Sequence, residues 1–420
     1  MPKYHWEDGE IPIIEAHSIR KHDVLREYLR QYILIVGGHP IQRKYLSLTL
    51  IDGFAGGGLY KVPSGELHHG SPLIFLKATE EAAVELGMSR EFRLDAHYIF
   101  VEKERQSLEF LRRTLIKEGY ESRFGKTVFL IDGVFEARID SIIEHIMRRQ
   151  GTARRCILLL DQYGYTDVAL PTLQRLFCEL PKAEVMLTFA VDHLIDYLTD
   201  SPENRRTLRE LGVSSDICEL LEGKSETKNW RRFIQHRLYK DVVENSGAKH
   251  FTNFFIKSSE SNRSYWLMHL SMHPKARDVM QELHWRLRNH FVHEGQTGFF
   301  MLGYDPKRDT DLTGQAGQMF TFSDLDKARN HKTLLCQIPE MVPYTGVSLE
   351  NFFKEQCNGT TATFKMIQKV VYALHQCGEL EIFTRAGNKK RKGSKIDQQD
   401  VMTPRRQCRF DFGEVKGRKA

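Results

Sequence analysis

The chain is 420 residues long, 41% apolar and 28% charged, with a net charge of +6, which allows one large α/β domain beside a smaller one. No stretch approaches the ~18 uncharged apolar residues of a membrane span, and the opening residues have no apolar core for secretion, so a cytoplasmic location is expected. The seven cysteines lie far apart, with no Cys-x-x-Cys pair and no histidine cluster at zinc spacing, which argues against a disulfide framework and gives no reason to expect a metal site.

Charge is unevenly placed. From Arg385 to Ala420 there are twelve Lys/Arg against four Asp/Glu, a net +8, which leaves −2 for the rest of the chain. A basic tail of this kind is a solvated face or a phosphate-contacting one.

In chain order, residues 1–44 form an N-terminal helical segment, with a helix expected from Ser18 to Val36 and Gly37-Gly38 as its stop. The run Leu46-Ser-Leu-Thr-Leu-Ile-Asp52 then reads as a buried strand. It runs into the turn Gly53-Phe54-Ala55-Gly56-Gly57-Gly58, where bare backbone allows a ligand to approach closely. A dinucleotide fingerprint would need a further glycine where Lys61 stands, and a P-loop would need Gly-Lys-Ser/Thr, which this turn does not have. After an irregular piece through His68 and His69, Ser71 is the expected cap and Pro72 the first residue of a helix to Leu86.

Strands and helices then alternate. Ala96–Glu102, Thr127–Asp132, Cys156–Asp161 and Ala183–Ala190 read as strands, the first three ending in an acid. Helices follow the first three, the last of them over Leu170–Phe177. This alternation predicts a doubly wound, mostly parallel Rossmann-like sheet, and the Asp-x-Phe-x-Gly-x-Gly pattern of Asp52 to Gly58 resembles the first motif of S-adenosylmethionine-dependent methyltransferases, which implies a sheet of that type. A helical insertion over 192–245 precedes an antiparallel pair, Thr252–Lys257 and Tyr265–Ser271, which supplies a reversed edge strand. The domain is expected to span 45–290, with a final helix from Pro274, and 291–330 to be a linker. Residues 331–420 read as a small C-terminal winged-helix domain with a basic wing and tail. Its elements are a helix from Ala362 to Gln376 capped by Thr360-Thr361, a stop at Gly378 and a strand Glu379–Phe383.

Such sheets bind ligands beyond the carboxyl ends of their strands. An S-adenosylmethionine (SAM) pocket there needs an acceptor for ribose hydroxyls, met by Glu102, and one for the adenine amine, met by Asp132. Asp52, Gly56 and Gly58 would face the methionine end, and Phe54 would pack near the sulfonium. Glu102 lies well beyond the ~20 residues that usually separate a glycine turn from its ribose acid. The excursion from Tyr60 to Asp95 must therefore sit above the sheet, where His68 and His69 would touch the site or simply face solvent. The turn Asp161-Gln162-Tyr163-Gly164-Tyr165 is the expected place of chemistry. Asp161 would accept a hydrogen bond from a substrate amine, with Tyr163 or Tyr165 packing on its ring; alternatively Asp161 only shapes the pocket floor. Lys389, Lys390, Arg391, Lys392, Lys395, Arg405 and Arg406 have a spacing suited to nucleic-acid phosphates.

Lys21-His22-Asp-Val-Leu-Arg-Glu-Tyr-Leu29, Ile51-Asp-Gly-Phe-Ala-Gly56, Gly70-Ser-Pro-Leu73, Leu160-Asp-Gln-Tyr-Gly164 and His273-Pro-Lys275 together resemble the three-Cys-motif partner (TcmP) family of bacteria. The resemblance runs from about Arg20 to Arg288, and Gly-Thr-Thr-Ala-Thr with the basic wing fits it too. It implies a SAM-methyltransferase-like fold of undefined substrate, often encoded beside a three-cysteine, radical-SAM-like partner protein. It also makes Lys21 a candidate for the SAM carboxylate. The family's turn more often reads Asp-Pro-aromatic-Gly, so Gln162 departs from it. Two functions remain open: a SAM-dependent methyltransferase, and a non-catalytic module binding nucleotide or nucleic acid.

Overall fold

In this computed structural model the described residues are 4–6, 10–38, 44–150, 154–226, 230–257, 264–287, 297–299, 320 and 322–405. Helix α1 (Ala16–Gly38) precedes strand β1 (Tyr45–Asp52). The short hairpin β2 (Leu59–Lys61) and β3 (Leu67–His69) follows, then α2 (Ser71–Ser89). Next come β4 (Arg93–Glu102), α3 (Arg105–Lys117), β5 (Val128–Asp132), α4 (Phe135–Gln150), β6 (Arg155–Asp161), α5 (Leu170–Glu179) and β7 (Lys182–Phe189). Four helices make the insertion, α6 (Val191–Asp196), α7 (Pro202–Leu211), α8 (Ile217–Glu226) and α9 (Trp230–Asn245); β8 (His250–Lys257), β9 (Ser264–Ser271) and α10 (Pro274–Leu287) follow.

The central strands pair in the order β5-β4-β1-β6-β7-β9-β8. Pairings from β5 through to β7 are parallel, and β9 runs antiparallel to both β7 and β8. The reversed strand is therefore not the edge strand, as the sequence reading had it. It is inserted between β7 and the true edge, β8, pairing antiparallel with both; the few residues between β8 and β9 in the sequence suffice for an antiparallel pair and not for a crossover helix. The sheet is a mixed, mostly parallel one with helices on both faces. One face packs α4, α5 and the inserted helices over Ile51, Val101, Leu158, Leu160 and Leu187. The other packs α1, α2 and α10 over Leu48, Leu50, Phe100, Ile157 and Met186. Strands covered on both faces need near-continuous apolar runs, which is why these segments were legible.

Two local expectations change. Gly70, not Ser71, is the N-cap of α2, with Pro72 inside its first turn; a Cβ on Gly70 would lie 3.0 Å from the Gly58 backbone, so closeness to the glycine turn dictates that position. The expected linker ends early, at α11 (Asp324–Met341), which is opened by a reciprocal capping box between Ser323 and Asp326.

After α11 come β10 (Val347–Ser348), α12 (Leu349–Gln356), α13 (Phe364–Cys377), β11 (Leu380–Phe383) and β12 (Val401–Pro404). Thr363 caps α13, two residues beyond the expected Thr360-Thr361, and Gly378 ends it in the left-handed conformation. The three strands form an antiparallel sheet in the order β10-β12-β11, over a core that includes Leu334, Phe352, Val370 and Ile382.

This unit is seated directly on the large sheet. Arg277 of α10, fully buried, donates to the carbonyls of Thr360 and Ala362. Trp285 Nε1 donates to Thr361 O at 2.7 Å, and Asp278 Oδ1 accepts from the Phe364 amide at 2.8 Å. Asn358 bonds the edge strand twice, donating to Lys249 O at 2.8 Å and accepting from the Phe251 amide at 3.2 Å.

Candidate cofactor and active site

Parallel pairing sets the carboxyl ends of the strands side by side. Asp52 of β1 stands opposite Phe100 of β4, two residues before Glu102, and Glu102 stands opposite Asp132 of β5. On the other side Asp161 of β6 pairs with Thr188 of β7. The four predicted acids thus share one edge of the sheet. The excursion that delayed Glu102 is accounted for by the β2–β3 hairpin and α2.

Asp52 is fully buried. Its Oδ1 accepts from the Phe54 amide at 3.1 Å, and its Oδ2 is buried with no hydrogen-bond partner among the described residues. Burial pushes its carboxyl up to about 7, against the opposing influence of the Ser71 hydroxyl and the Phe54 amide. Glu102 binds the turn itself, accepting from the Gly56 amide at 2.8 Å and from the Glu104 amide at 2.9 Å. Gly56 and Gly58 both hold positive φ, which explains glycine at those two positions. Asp132 is exposed, and its backbone carbonyl accepts from Arg138.

Phe54 is partly buried and packs against Phe135, with ring centroids 6.4 Å apart.

Lys21 and Asp161, expected in separate roles, hold one another. Lys21 Nζ donates to both carboxylate oxygens of Asp161, at 2.6 and 2.5 Å. Burial alone would raise the Asp161 carboxyl, but Lys21 overrides it and holds the group below its ordinary value. Next to this pair, His22 and His68 stack at 5.1 Å, with Nδ1 of His22 2.9 Å from Nε2 of His68. Burial first, then His68 and Lys21, lower His22 to about 3, so both rings are neutral at physiological pH. His69 points instead to Lys77, at 3.3 Å.

In the turn after β6, Gln162 is buried; its Oε1 accepts from the Asp167 amide at 3.0 Å and its Nε2 has no partner. Gln162 thereby ties the turn to the loop that follows it. Tyr165 is partly buried against Phe189, while Tyr163 is exposed. Thr188 Oγ1, beside Asp161, is buried and lacks a hydrogen bond as well. Three unsatisfied polar atoms, from Asp52, Gln162 and Thr188, therefore lie at the ends of three adjacent strands. Each costs about 1–3 kcal/mol unless a ligand or water answers it.

Two aromatic residues that sequence reasoning passed over border this edge. Tyr60 lies close enough to Asp161, Asp52 and Glu102 for their charges to raise its phenol, after burial and Tyr4. Trp6 is buried over the glycine turn, where a Cβ on Gly57 would lie 2.5 Å from its indole. Neither belongs to a helical or strand period, so no spacing signal marked them.

Of the predicted basic residues, Lys390 is consumed within the fold, its Nζ bonding Asp400 at 2.6 Å and Asp397 at 3.2 Å. Lys389 bonds Glu381 at 2.6 Å. Arg391, Lys392, Lys395 and Arg405 are exposed, and Lys392 and Arg405 converge near Gly378 at the C-terminus of α13, where the helix dipole favours cations. Arg406 lies outside the described residues.

No protein-family model and no curated protein matches this chain, so the likeness to the three-Cys-motif partner family stands on its motifs alone. Among solved structures, protein LPL1258 from Legionella pneumophila, of the DUF519 family, matches at 10% identity over 62% of this chain and 90% of that one, with a TM-score of 0.34. A SAM-dependent methyltransferase from Agrobacterium tumefaciens matches at 10% over 62% of this chain and 64% of that one, with a TM-score of 0.29. The N-terminal domain of human METTL16 in complex with SAH matches at 10% over 59% and 70%, with a TM-score of 0.28. Structural neighbours thus include SAM-dependent methyltransferases. The likeness is distant and carries no argument about substrate. No helix among the described residues is long and apolar enough to cross a membrane.

Proposed function

We propose that the chain is a SAM-dependent methyltransferase. The observation that carries this reading is the register of Asp52, Glu102, Asp132 and Asp161 along one end of a sheet whose reversed strand, β9, lies between β7 and the edge strand β8. The unsatisfied Asp52 Oδ2, Gln162 Nε2 and Thr188 Oγ1 fit a polar ligand at that edge. Glu102 would take the ribose hydroxyls and Asp132 the adenine amine. Asp52 and the glycine turn would meet the ammonium and carboxylate of the methionine end. SAM supplies a methyl group on a sulfonium, ready for an acceptor's lone pair. The protein's share is alignment and exclusion of water, which for such a transfer provides most of the rate. Asp161, kept ionised by Lys21, would accept a hydrogen bond from the acceptor, with Tyr165 beside it.

The helix, strand, two helices and two strands of the C-terminal unit follow a winged-helix order, with residues 384–400 as the wing. Its exposed Arg391, Lys392, Lys395 and Arg405 favour an acceptor that is, or is carried by, nucleic acid. The motif resemblance makes a three-cysteine partner protein the other candidate to present the acceptor.

One observation favours a non-catalytic nucleotide-binding module instead: both oxygens of Asp161 are already bound to Lys21. Calorimetric titration with SAM decides first whether there is a cofactor, and Glu102→Ala should weaken binding at least tenfold. Transfer of label from methyl-labelled SAM to total RNA, DNA or protein then separates the two readings. Transfer abolished by Asp161→Asn supports the enzyme, and binding without transfer supports the module.

A further inference from the structure

Helix α13 carries no acid along its length. Lys365, Lys369 and Tyr372 recur at helical spacing and are exposed, Tyr372 by 41%. Lys365 is taken up by Glu282 of α10, at 3.3 Å, which leaves Lys369 and Tyr372 as the open part of that face. The adjoining side of the helix holds the loop between β11 and β12. Gln368 Nε2 donates to Ile396 O at 2.8 Å, and two turns further on His375 Nε2 lies 3.3 Å from Arg391 O. The loop therefore runs alongside α13 in the opposite direction, and its basic side chains border the exposed face.

The charges of that loop are sorted. Lys390 holds Asp400 and Asp397, at 2.6 and 3.2 Å, and Lys389 holds Glu381 at 2.6 Å, so these acids are answered from within. Arg391 and Lys392 are exposed and pair with no carboxylate among the described residues, and the Lys395 side chain is 88% exposed, 3.9 Å from Asp397. Arg405 joins them, since a Cβ at Gly378 would have Lys392 Nζ at 3.4 Å and Arg405 Nη1 at 3.6 Å. The helix dipole answers part of this charge at the end of α13. The rest is self-repelling, the condition of a surface suited to an outside polyanion.

The seat of the unit sets this surface apart from the acids. Register across the sheet leads from Asp161 through Thr188 and Leu267 to Phe254. Asn358 bonds Lys249 and Phe251, on the amino-end side of Phe254, whereas Asp52, Glu102, Asp132 and Asp161 end their strands at the carboxyl side.

We propose that α13 and the loop beside it form a docking surface for double-stranded DNA, with Lys369 and Tyr372 meeting the groove and Arg391, Lys392, Lys395 and Arg405 the flanking phosphates. The inference rests on the nucleic-acid reading of the C-terminal unit and narrows it to one occupant. A single strand fits less well, because one exposed tyrosine offers no row of rings on which unpaired bases could stack. Duplex RNA fits less well too, because the major groove of B-form DNA admits a helix and the narrow A-form groove does not. Because the unit is seated away from the acids, docking needs no cofactor.

The test is fluorescence anisotropy of a labelled, mixed-sequence DNA duplex of ~20 base pairs, about two helical turns, titrated with the full chain without cofactor. The duplex should bind, with log affinity falling against log salt at a slope of about −3 to −4. Arg391→Ala with Lys392→Ala should weaken binding about tenfold or more and make the slope shallower by about two, and Lys369→Ala should make it shallower by about one. Lys117→Ala with Lys126→Ala, exposed lysines of the large domain, should change neither. Thermal melts identify a variant that fails to fold, and Lys395→Ala then takes its place beside Lys369→Ala. Absence of duplex binding overturns the proposal, as does equal or tighter binding of polyglutamate, single-stranded DNA or duplex RNA, or a loss that follows Lys117 and Lys126 instead. Calorimetry of the same preparation with SAM and with its demethylated form, S-adenosylhomocysteine (SAH), keeps the two readings separate. Cofactor binding without DNA binding sinks the docking surface alone, and DNA binding without cofactor binding sinks the methyltransferase reading alone.

Discussion

A fully buried carboxyl group with one oxygen unanswered by the described residues, as at Asp52, couples the candidate site to pH. Its pKa rises to about 7 when folded, above its ordinary 3.8, so between those values the folded chain holds a proton that the unfolded chain has lost. Stability should therefore fall as pH rises through that window, by up to ~1.4 kcal/mol per pH unit from this group. Asp52→Asn should flatten that part of the profile in chemical denaturation at pH 5 and pH 8; an unchanged slope would mean that Asp52 is not the titrating group. The ion pair of Lys21 with Asp161 gives a second expectation. Lys21→Met strands a largely buried carboxylate and should cost about 3 kcal/mol, and Lys21→Met with Asp161→Leu should recover most of it. The acids were legible because each closes an apolar run. Their pairing was not, because Lys21 lies on α1, 140 residues earlier, and no local period links a helix to a strand end so distant. Trp6, Tyr60 and the His22–His68 contact were hidden for the same reason.

Elements built from long apolar runs were read nearly to the residue, and those built from little else than closure were missed. The β2–β3 hairpin has three residues in each strand, too few for an alternation to show, and it passed as an irregular loop. Helix α11 turns Asp326, Asn330, Leu334 and Ile338 inward. The spacing is helical, but half of those residues are polar, so its hydrophobic period is faint and its first residues were assigned to a linker. The glycine turn was read as a place where a ligand comes close, and the neighbour the structure shows at Gly57 is the protein's own indole. Gly57→Ala should therefore destabilise by about 1–3 kcal/mol through overpacking. Because Gly57 is not at positive φ, the same change in a Trp6→Ala background should be close to neutral. A double-mutant cycle by thermal melting measures this, and additive costs would show that Trp6 does not rest on the turn.

At the scale of the whole molecule, the attachment of the C-terminal elements to the large sheet was not legible in the sequence. Arg277, Asp278, Trp285 and Asn358 are polar residues that a reader assigns to solvent, and they form the bonds that seat the C-terminal unit on α10 and β8. Each satisfies a backbone group that would otherwise be buried unpaired, which gives the seat its specificity. The wild type should melt in one cooperative transition. Arg277→Ala, which leaves two buried carbonyls without donors, should split it into two or lower it by several degrees. Independent melting of the two units in the wild type would contradict a fixed seat.

The central claim is that a SAM-type cofactor lies across the carboxyl ends of β1, β4 and β5. The most direct measurement is the crystal structure of the chain grown with millimolar SAH. The account predicts ribose hydroxyls on Glu102, adenine beside Asp132 and the amino-acid end against Asp52 and the glycine turn. A ligand bound elsewhere, or a saturated crystal with that edge empty, would contradict it.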